Sequence, residues 1–289
     1  MCSSDLTITL NGAALWLDKP LTIDASALNS LIVDGDEKSR VFRVTASDVV
    51  LDSLTIARGH ADSGGGVYSS ASLTVRHSTF SGNSATRSGG GIFSSGSLSI
   101  TDSTFVDNLA AQSGGGLYST GPLAITNSHF TRNSAGYSGG GVYGSDVISV
   151  TSSEFSDNSA DDSGGGIYNS SASLTVTSSE FSNNTAAYSG GGICAGGIDS
   201  YSPGFAVTVA VTNSTFSDNS AGYWGGGIGV GDWYTDYWSA DVSVTNSTFL
   251  NNSSGESGGG IGIGNMYMYD ARITLSVTNS TFLGNSAGY

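Results

Sequence analysis

The chain has 289 residues, 43 of them glycine, with 11% charged and 38% hydrophobic residues and a formal net charge of −15. So much glycine and so little charge would fit a disordered segment, but apolar residues held in a fixed register argue for a packed core. From Arg132 to Arg272 there are thirteen Asp and Glu and no Lys, Arg or His between the two arginines, which excludes nucleic acid and other polyanions as partners of that surface.

Residues 1–6, MCSSDL, lack the basic start and apolar core of a signal peptide and read as a non-native sequencing scar. Residues 7–61 alternate apolar and polar positions in short segments such as Leu21–Ile23, Leu31–Val33, Val41–Val44 and Leu54–Ile56, with Lys19-Pro20 and Asp34-Gly35 marking turns. They read as leading laps that cap a solenoid, since terminal repeats are atypical. Lys19, Lys38, Arg40, Arg43 and Arg58 cluster here. Capping is one reading of that cluster, and a cationic site for an acidic ligand is the other.

From residue 62 the chain repeats itself. A glycine triplet followed by a branched apolar residue starts at Gly64, Gly89, Gly114, Gly139, Gly164, Gly190, Gly225 and Gly258. After each comes F-x-x-N, with Phe80, Phe105, Phe130, Phe155, Phe181, Phe216, Phe249 and Phe282 paired with Asn83, Asn108, Asn133, Asn158, Asn184, Asn219, Asn252 and Asn285. Self-similarity at this period means a solenoid. Within a unit the apolar residues have period 2, as in Ile167, Leu174, Val176 and Phe181, so the spacing predicts three short strands per lap of about 25 residues. Stacked laps would then bring the Phe residues into an interior aromatic column. The Asn residues would form a turn ladder of side-chain amides, each in the left-handed conformation that Asn tolerates. Residues 62–192 are the regular laps, and their outward neighbours on the first strand are Tyr68, Phe93, Tyr118, Tyr143 and Tyr168. That aromatic stripe suits either a sugar or partner surface or simple cross-strand stacking.

Residues 193–289 form longer laps, with the extra length between the first and second strands. Alternation running backward from the second strand, through Val207, Val209 and Val211 and through Ala240, Val242 and Val244, predicts a β flange. The outward column becomes Cys194, Gly229 and Gly262, small residues that would make room for the insertions. The lone Cys194 reads as a packing residue, and with Cys2 it makes no disulfide framework. Within the insertions, Tyr201, Asp232, Trp233, Tyr234, Asp236, Tyr237, Trp238, Tyr267 and Tyr269 set aromatic rings beside carboxylates. That combination suits sugar binding, and equally a satellite core under a long loop.

The pairing of GG-x-[ILV] with F-x-x-N resembles the repeat of the chlamydial-type polymorphic outer-membrane proteins, which are pectin-lyase-like right-handed parallel β-helices. The resemblance runs from Ser63 to the end. It departs at the third repeat position, where that family has Ala and this chain has Gly66, Gly91 and Gly116. It implies an all-β, right-handed parallel β-helix on a secreted or surface-displayed passenger, often adhesive, and supplies no catalytic residue.

The expected function is that of an adhesin-like stalk without catalysis or cofactor, extracellular or on the bacterial outer membrane. Any membrane attachment would run through an anchor beyond residues 1–289. Partners would be glycans or proteins of a host or neighbouring cell surface. The alternative is a polysaccharide-binding or polysaccharide-degrading, pectate-lyase-like β-helix. Lyases of that kind need a base beside carboxylates that hold calcium, and the long middle of the chain has no Lys or Arg. A third possibility is a Thr/Ser array that orders water, but the column from Thr74 through Ser99, Ala124 and Ser149 is irregular.

Overall fold

The computed structural model describes residues 5–170, 173–196, 206–231, 239–263 and 272–288. In the lap that opens at Gly64, strands Val67–Ser69, Leu73–Arg76, Thr79–Ser81 and Ser84–Ala85 follow one another around the coil. Each pairs in parallel with its copy in the next lap, through Val67↔Ile92, Leu73↔Leu98, Phe80↔Phe105 and Ser84↔Leu109. Repeated along the chain, this pairing builds four sheets of 10, 10, 11 and 9 strands among the described residues. The fold is a right-handed parallel β-helix, the hand that parallel crossovers take in nearly all proteins.

A lap therefore has four strands where periodicity predicts three. The fourth is only two residues long, typified by Ser134–Ala135, too short for alternation to reveal. Its Ala turns inward and is buried, as at Ala110 and Ala135.

The core is columnar because the side-chain period of 2 is locked to the lap. Val67, Ile92, Leu117, Val142, Ile167, Ile193 and Ile228 are all fully buried on the first strand. A register slip of one residue would turn every one of them outward. On the third strand the rings from Phe80 to Phe282 stack with centroids 4.6–4.8 Å apart and planes within 2–4° of parallel. That is the spacing of neighbouring strands, so the backbone ladder itself sets the ring contacts. Phe80 to Phe249 have no exposed surface, and burying each ring contributes about 1.5–3 kcal/mol. Phe282, expected inside with the others, is 44% exposed, because no described lap covers its outer face.

The corners are made by residues in the left-handed region. The first glycine of each triplet has φ between +63° and +71°, a conformation that costs Gly nothing. At the corner before Asn the left-handed residue is not the Asn, as expected, but the one preceding it: Gly82, Asp107, Arg132, Asp157, Asn183, Asp218, Asn251 and Gly284. The physical reason is that the Asn turns its amide into the core, where it is fully satisfied.

Each of these Asn residues from Asn83 to Asn252 ties three laps together. Asn133 Nδ2 donates to Phe105 O of the preceding lap at 2.9 Å and to Asn158 Oδ1 of the next at 3.0 Å. The same bonds recur at Asn108, Asn158, Asn184, Asn219 and Asn252. A second polar column, not singled out in the sequence, runs through Ser78, Ser103, Ser128, Ser153, Ser179, Ser214, Ser247 and Ser280. Ser128 Oγ donates to Thr126 O at 2.8 Å and accepts from Ser103 N at 3.1 Å. Buried polar groups are tolerable only when paired in this way.

In the last three laps the second strand lengthens from the four residues of Ile148–Thr151 to the seven of Ala206–Thr212, Ser239–Thr245 and Arg272–Thr278. These pair in register from Ala206↔Ser239↔Arg272 onward, which is the flange the alternation predicts.

Candidate recognition surface

The nine aromatic and acidic residues singled out in the insertions, Tyr201, Asp232, Trp233, Tyr234, Asp236, Tyr237, Trp238, Tyr267 and Tyr269, lie outside the described residues. What is described is the base that carries the insertions. In the first three regular laps the last residue of the first strand is Ser69, Ser94 or Ser119, whose hydroxyl donates to the carbonyl oxygen two residues on at 2.8–3.1 Å, and in the next two it is Gly144 and Asn169. In the long laps it becomes Ala195, Val230 and Ile263. Val207 and Ala240, on the lengthened second strands, are buried in the same apolar cluster. The change from Ser, Gly or Asn to an apolar side chain is thus the sequence signal for the flange core. The small outward residue Gly229 is also required by the rod itself. A Cβ on Gly229 would meet Ser189 Oγ at 2.2 Å and Gly190 N at 2.7 Å. That space belongs to the glycine turn of the preceding lap.

The aromatic stripe is continuous. Tyr68, Phe93, Tyr118 and Tyr143 stack in sequence with centroids 5.2, 5.1 and 4.6 Å apart, and Tyr168 follows at 5.2 Å. The first four are half-buried and Tyr168 is buried, its hydroxyl donating to Gly196 O at 2.7 Å. Burial, and then the neighbouring Tyr143, push the Tyr118 phenol above its usual pKa. Because ring faces are spent on one another, the stripe offers a ligand mainly ring edges. Sugars stack on faces, so the middle of the stripe is a stabilising ladder.

The ladder changes character at its N-terminal end. The residue in register before Tyr68 is Arg43, and before Arg43 is Trp16. The Arg43 guanidinium lies 4.7 Å from the Trp16 ring centre and 5.8 Å from that of Tyr68. Arg40 lies 5.0 Å from the same Tyr68 centre. Arg40 is held by Gly64 O at 2.9 Å, Ser63 O at 2.6 Å and Asp62 at 3.2 Å. Burial first, then Arg43 against the pull of Asp62, lowers its pKa from the ordinary arginine value. The Nε of Arg43 is buried with no hydrogen-bond partner.

Most other basic residues of these laps are engaged. Arg58 is paired with Asp34, and Arg76 donates to Asp52 at 2.7 Å. His77 Nδ1 lies 2.9 Å from Asp52 and its Nε2 lies 3.5 Å from Asp102. Burial raises the pKa of Asp52, but bonds from His77, Ser53 and Arg76 outweigh it and hold the carboxyl below the usual range. Among the described residues no group of three or more His, Cys, Asp and Glu is placed to hold a metal ion.

The architecture is that of a stacked-lap repeat protein, a right-handed parallel β-helix. The family model of the Chlamydia polymorphic membrane protein repeat matches residues 77–95, 152–170, 178–196 and 213–230. No curated protein sequence matches the chain. Among solved structures the chain is similar to the Streptococcus pneumoniae surface protein and adhesin PfbA, at 12% identity and a TM-score of 0.42, over 98% of this chain and 89% of that one. At that TM-score the likeness bears on neither site nor function.

Proposed function

We propose that this chain is the rod of a secreted or surface-displayed bacterial repeat protein, an adhesin-like stalk that holds recognition elements away from an outer membrane and performs no catalysis. The observation that carries this reading is the continuous stitching of lap to lap by buried Asn amides and Phe rings, which includes repeats that match the polymorphic membrane protein model, as at Asn158–Asn184 and Phe155–Phe181. Each lap depends on its neighbours, so the assembly behaves as a stiff one-dimensional rod. The sites offered to partners are then the insertions carried on the flange and the outward face of the first-strand sheet. Neutral sugars, basic protein patches or cations suit the acidic C-terminal laps.

The test is to express the protein with its native flanking sequence in a bacterial host and label intact cells with an antibody against the rod. Labelling that is lost on protease shaving, together with cell binding by the purified chain, is expected. Retention inside the cell would overturn display. Release of reducing ends from pectin-type polysaccharide would favour the enzyme reading instead.

A further inference from the structure

We propose that Arg43 and Trp16 form a binding site for a carboxylated pyranose, the chemistry shared by hexuronic and sialic acids. The site lies on the outward face of strands Leu15–Leu17 and Phe42–Val44, where the aromatic ladder ends. Stacking occupies only the faces of the Arg43 guanidinium, 4.7 Å from Trp16 and 5.8 Å from Tyr68. Its Nε is buried, and the two Nη groups at the end of the plane form the fork that a carboxylate can match in bidentate fashion.

Charge balance points the same way. With Phe93 stacked on one face of Tyr68, both Arg40 and Arg43 come against the other, and Asp62 is the one carboxylate paired with either among the described residues. Two guanidinium charges therefore face one carboxylate, in a protein whose net charge is −15. A bound anion would supply the missing charge. The neighbouring arginines show the contrast, since Arg58, Arg76 and Arg132 each hold an Asp in the adjoining lap.

Trp16 distinguishes a sugar from a bare anion. It is 64% exposed, against the half-buried rings that follow it, so indole surface lies open beside the Arg43 guanidinium. An exposed indole beside a free guanidinium fork offers the two surfaces an acidic sugar presents, an apolar C–H face and a carboxylate. An acidic peptide would use the fork and leave the indole idle.

The proposal deepens the adhesin reading and relies on it only for the setting. Titration of the purified full chain with glucuronic acid and with N-acetylneuraminic acid, followed by tryptophan fluorescence, tests it. Glucose, inorganic sulfate and a Glu-rich peptide serve as comparisons. One or both acidic sugars are expected to bind more tightly than glucose and sulfate, and which one binds identifies the source. Arg43→Gln should weaken binding by about tenfold or more, the value of a charge-assisted pair. Arg43→Lys, which keeps the charge and loses the fork, should weaken it less, and Trp16→Phe should remove the fluorescence change. Glucose binding as tightly as glucuronic acid, preference for the peptide, or undiminished binding by Arg43→Gln with an intact β spectrum would overturn the proposal. If Arg43→Gln does not fold, undiminished binding by folded Arg43→Lys, with both sugars equal to sulfate, overturns it as well. Cell-surface labelling together with no acidic-sugar binding would sink this site and leave display standing.

Discussion

Asn133 gives both its backbone N–H and its side-chain amide to a single atom, Oδ1 of Asn158, each at 3.0 Å. Asn158 in turn gives its own amide to Phe130 O at 2.8 Å and Asn184 Oδ1 at 2.9 Å. No atom of this side chain is exposed and every donor and acceptor is used. The column is therefore a continuous polar spine beside the Phe stack, of the kind in which one broken member leaves partners on both sides unsatisfied.

Replacing Asn158 by Ala removes two accepted and two donated bonds in a buried site. At about 1–3 kcal/mol per orphaned group, the expected loss is roughly 3–6 kcal/mol by denaturant unfolding. Asn158→Asp keeps the acceptor but buries a charge and loses both donated bonds, so at neutral pH it should be worse than Ala. Because burial raises that carboxyl's folded-state pKa, acidification should restore part of the loss. A loss below 1 kcal/mol for Ala would mean the spine is incidental.

The third glycine of each triplet is set by the spacing of the laps. A Cβ on Gly141 would meet Gly166 O of the next lap at 2.6 Å and Phe155 Cδ1 at 3.3 Å. The carbonyl can give way only if the lap above moves. Gly141→Ala should therefore destabilise, by about 1–3 kcal/mol as an overpacked core site. Gly82 provides the control, since it has positive φ and open space around it. The same corner position holds Asn in other laps, so Gly82→Asn should be neutral within about 0.5 kcal/mol. A Gly141→Ala protein as stable as Gly82→Asn would show that the laps part easily.

How much was legible follows from what repeats. The Phe and Asn columns recur once per lap, and so does S-x-F, yet Ser is so common here that the buried Ser78–Ser280 column does not stand out against its surroundings. The left-handed corner residue was misassigned because its position is written with Gly, Asp, Arg and Asn in turn, sharing tolerance of a backbone shape and not a chemistry. The Arg43–Tyr68 stack was not legible as a contact. It depends on the register of laps that lack the glycine triplet, which only the pairing Phe42↔Val67 fixes.

Acid should loosen the N-terminal laps before the rest. Burial pushes the carboxyl of Asp34 up, but the Arg58 guanidinium and the Asp36 N–H outweigh it, leaving it below the usual range, as at Asp52. A carboxyl whose folded pKa is depressed contributes stability above its unfolded pKa, and that contribution fades as pH falls toward the folded value. The thermal midpoint should thus be insensitive to these two groups between pH 5 and 7 and decline below about pH 4. Asp34→Asn and Asp52→Asn should each lower stability at pH 7 and flatten the acid decline. Parallel pH profiles for wild type and both variants would show that the pairs contribute nothing.

Val230 tests how the flange is fastened to the rod. It stands where the first three regular laps place a Ser that bonds to the following turn, and it is 2% exposed in the cluster that also contains Val207 and Ala240. The lengthened strands Ala206–Thr212 and Ser239–Thr245 lie in register, and their extra residues bring Val207 and Ala240 into the core. Val230→Ser replaces two methyl groups with a hydroxyl in that apolar site, at an expected cost of roughly 2–3 kcal/mol. Since each lap touches only its neighbours, the damage should stay local. Amide hydrogen exchange should speed up in residues 206–212 and 239–245 while Leu73–Arg76 and Leu98–Thr101 keep their protection. Uniform loss along the rod would mean that the flange and the regular laps unfold as one unit. No change at all would mean that the lengthened strands stand without the first strand beneath them, and the aromatic insertions they carry would then have to be positioned by something other than this core.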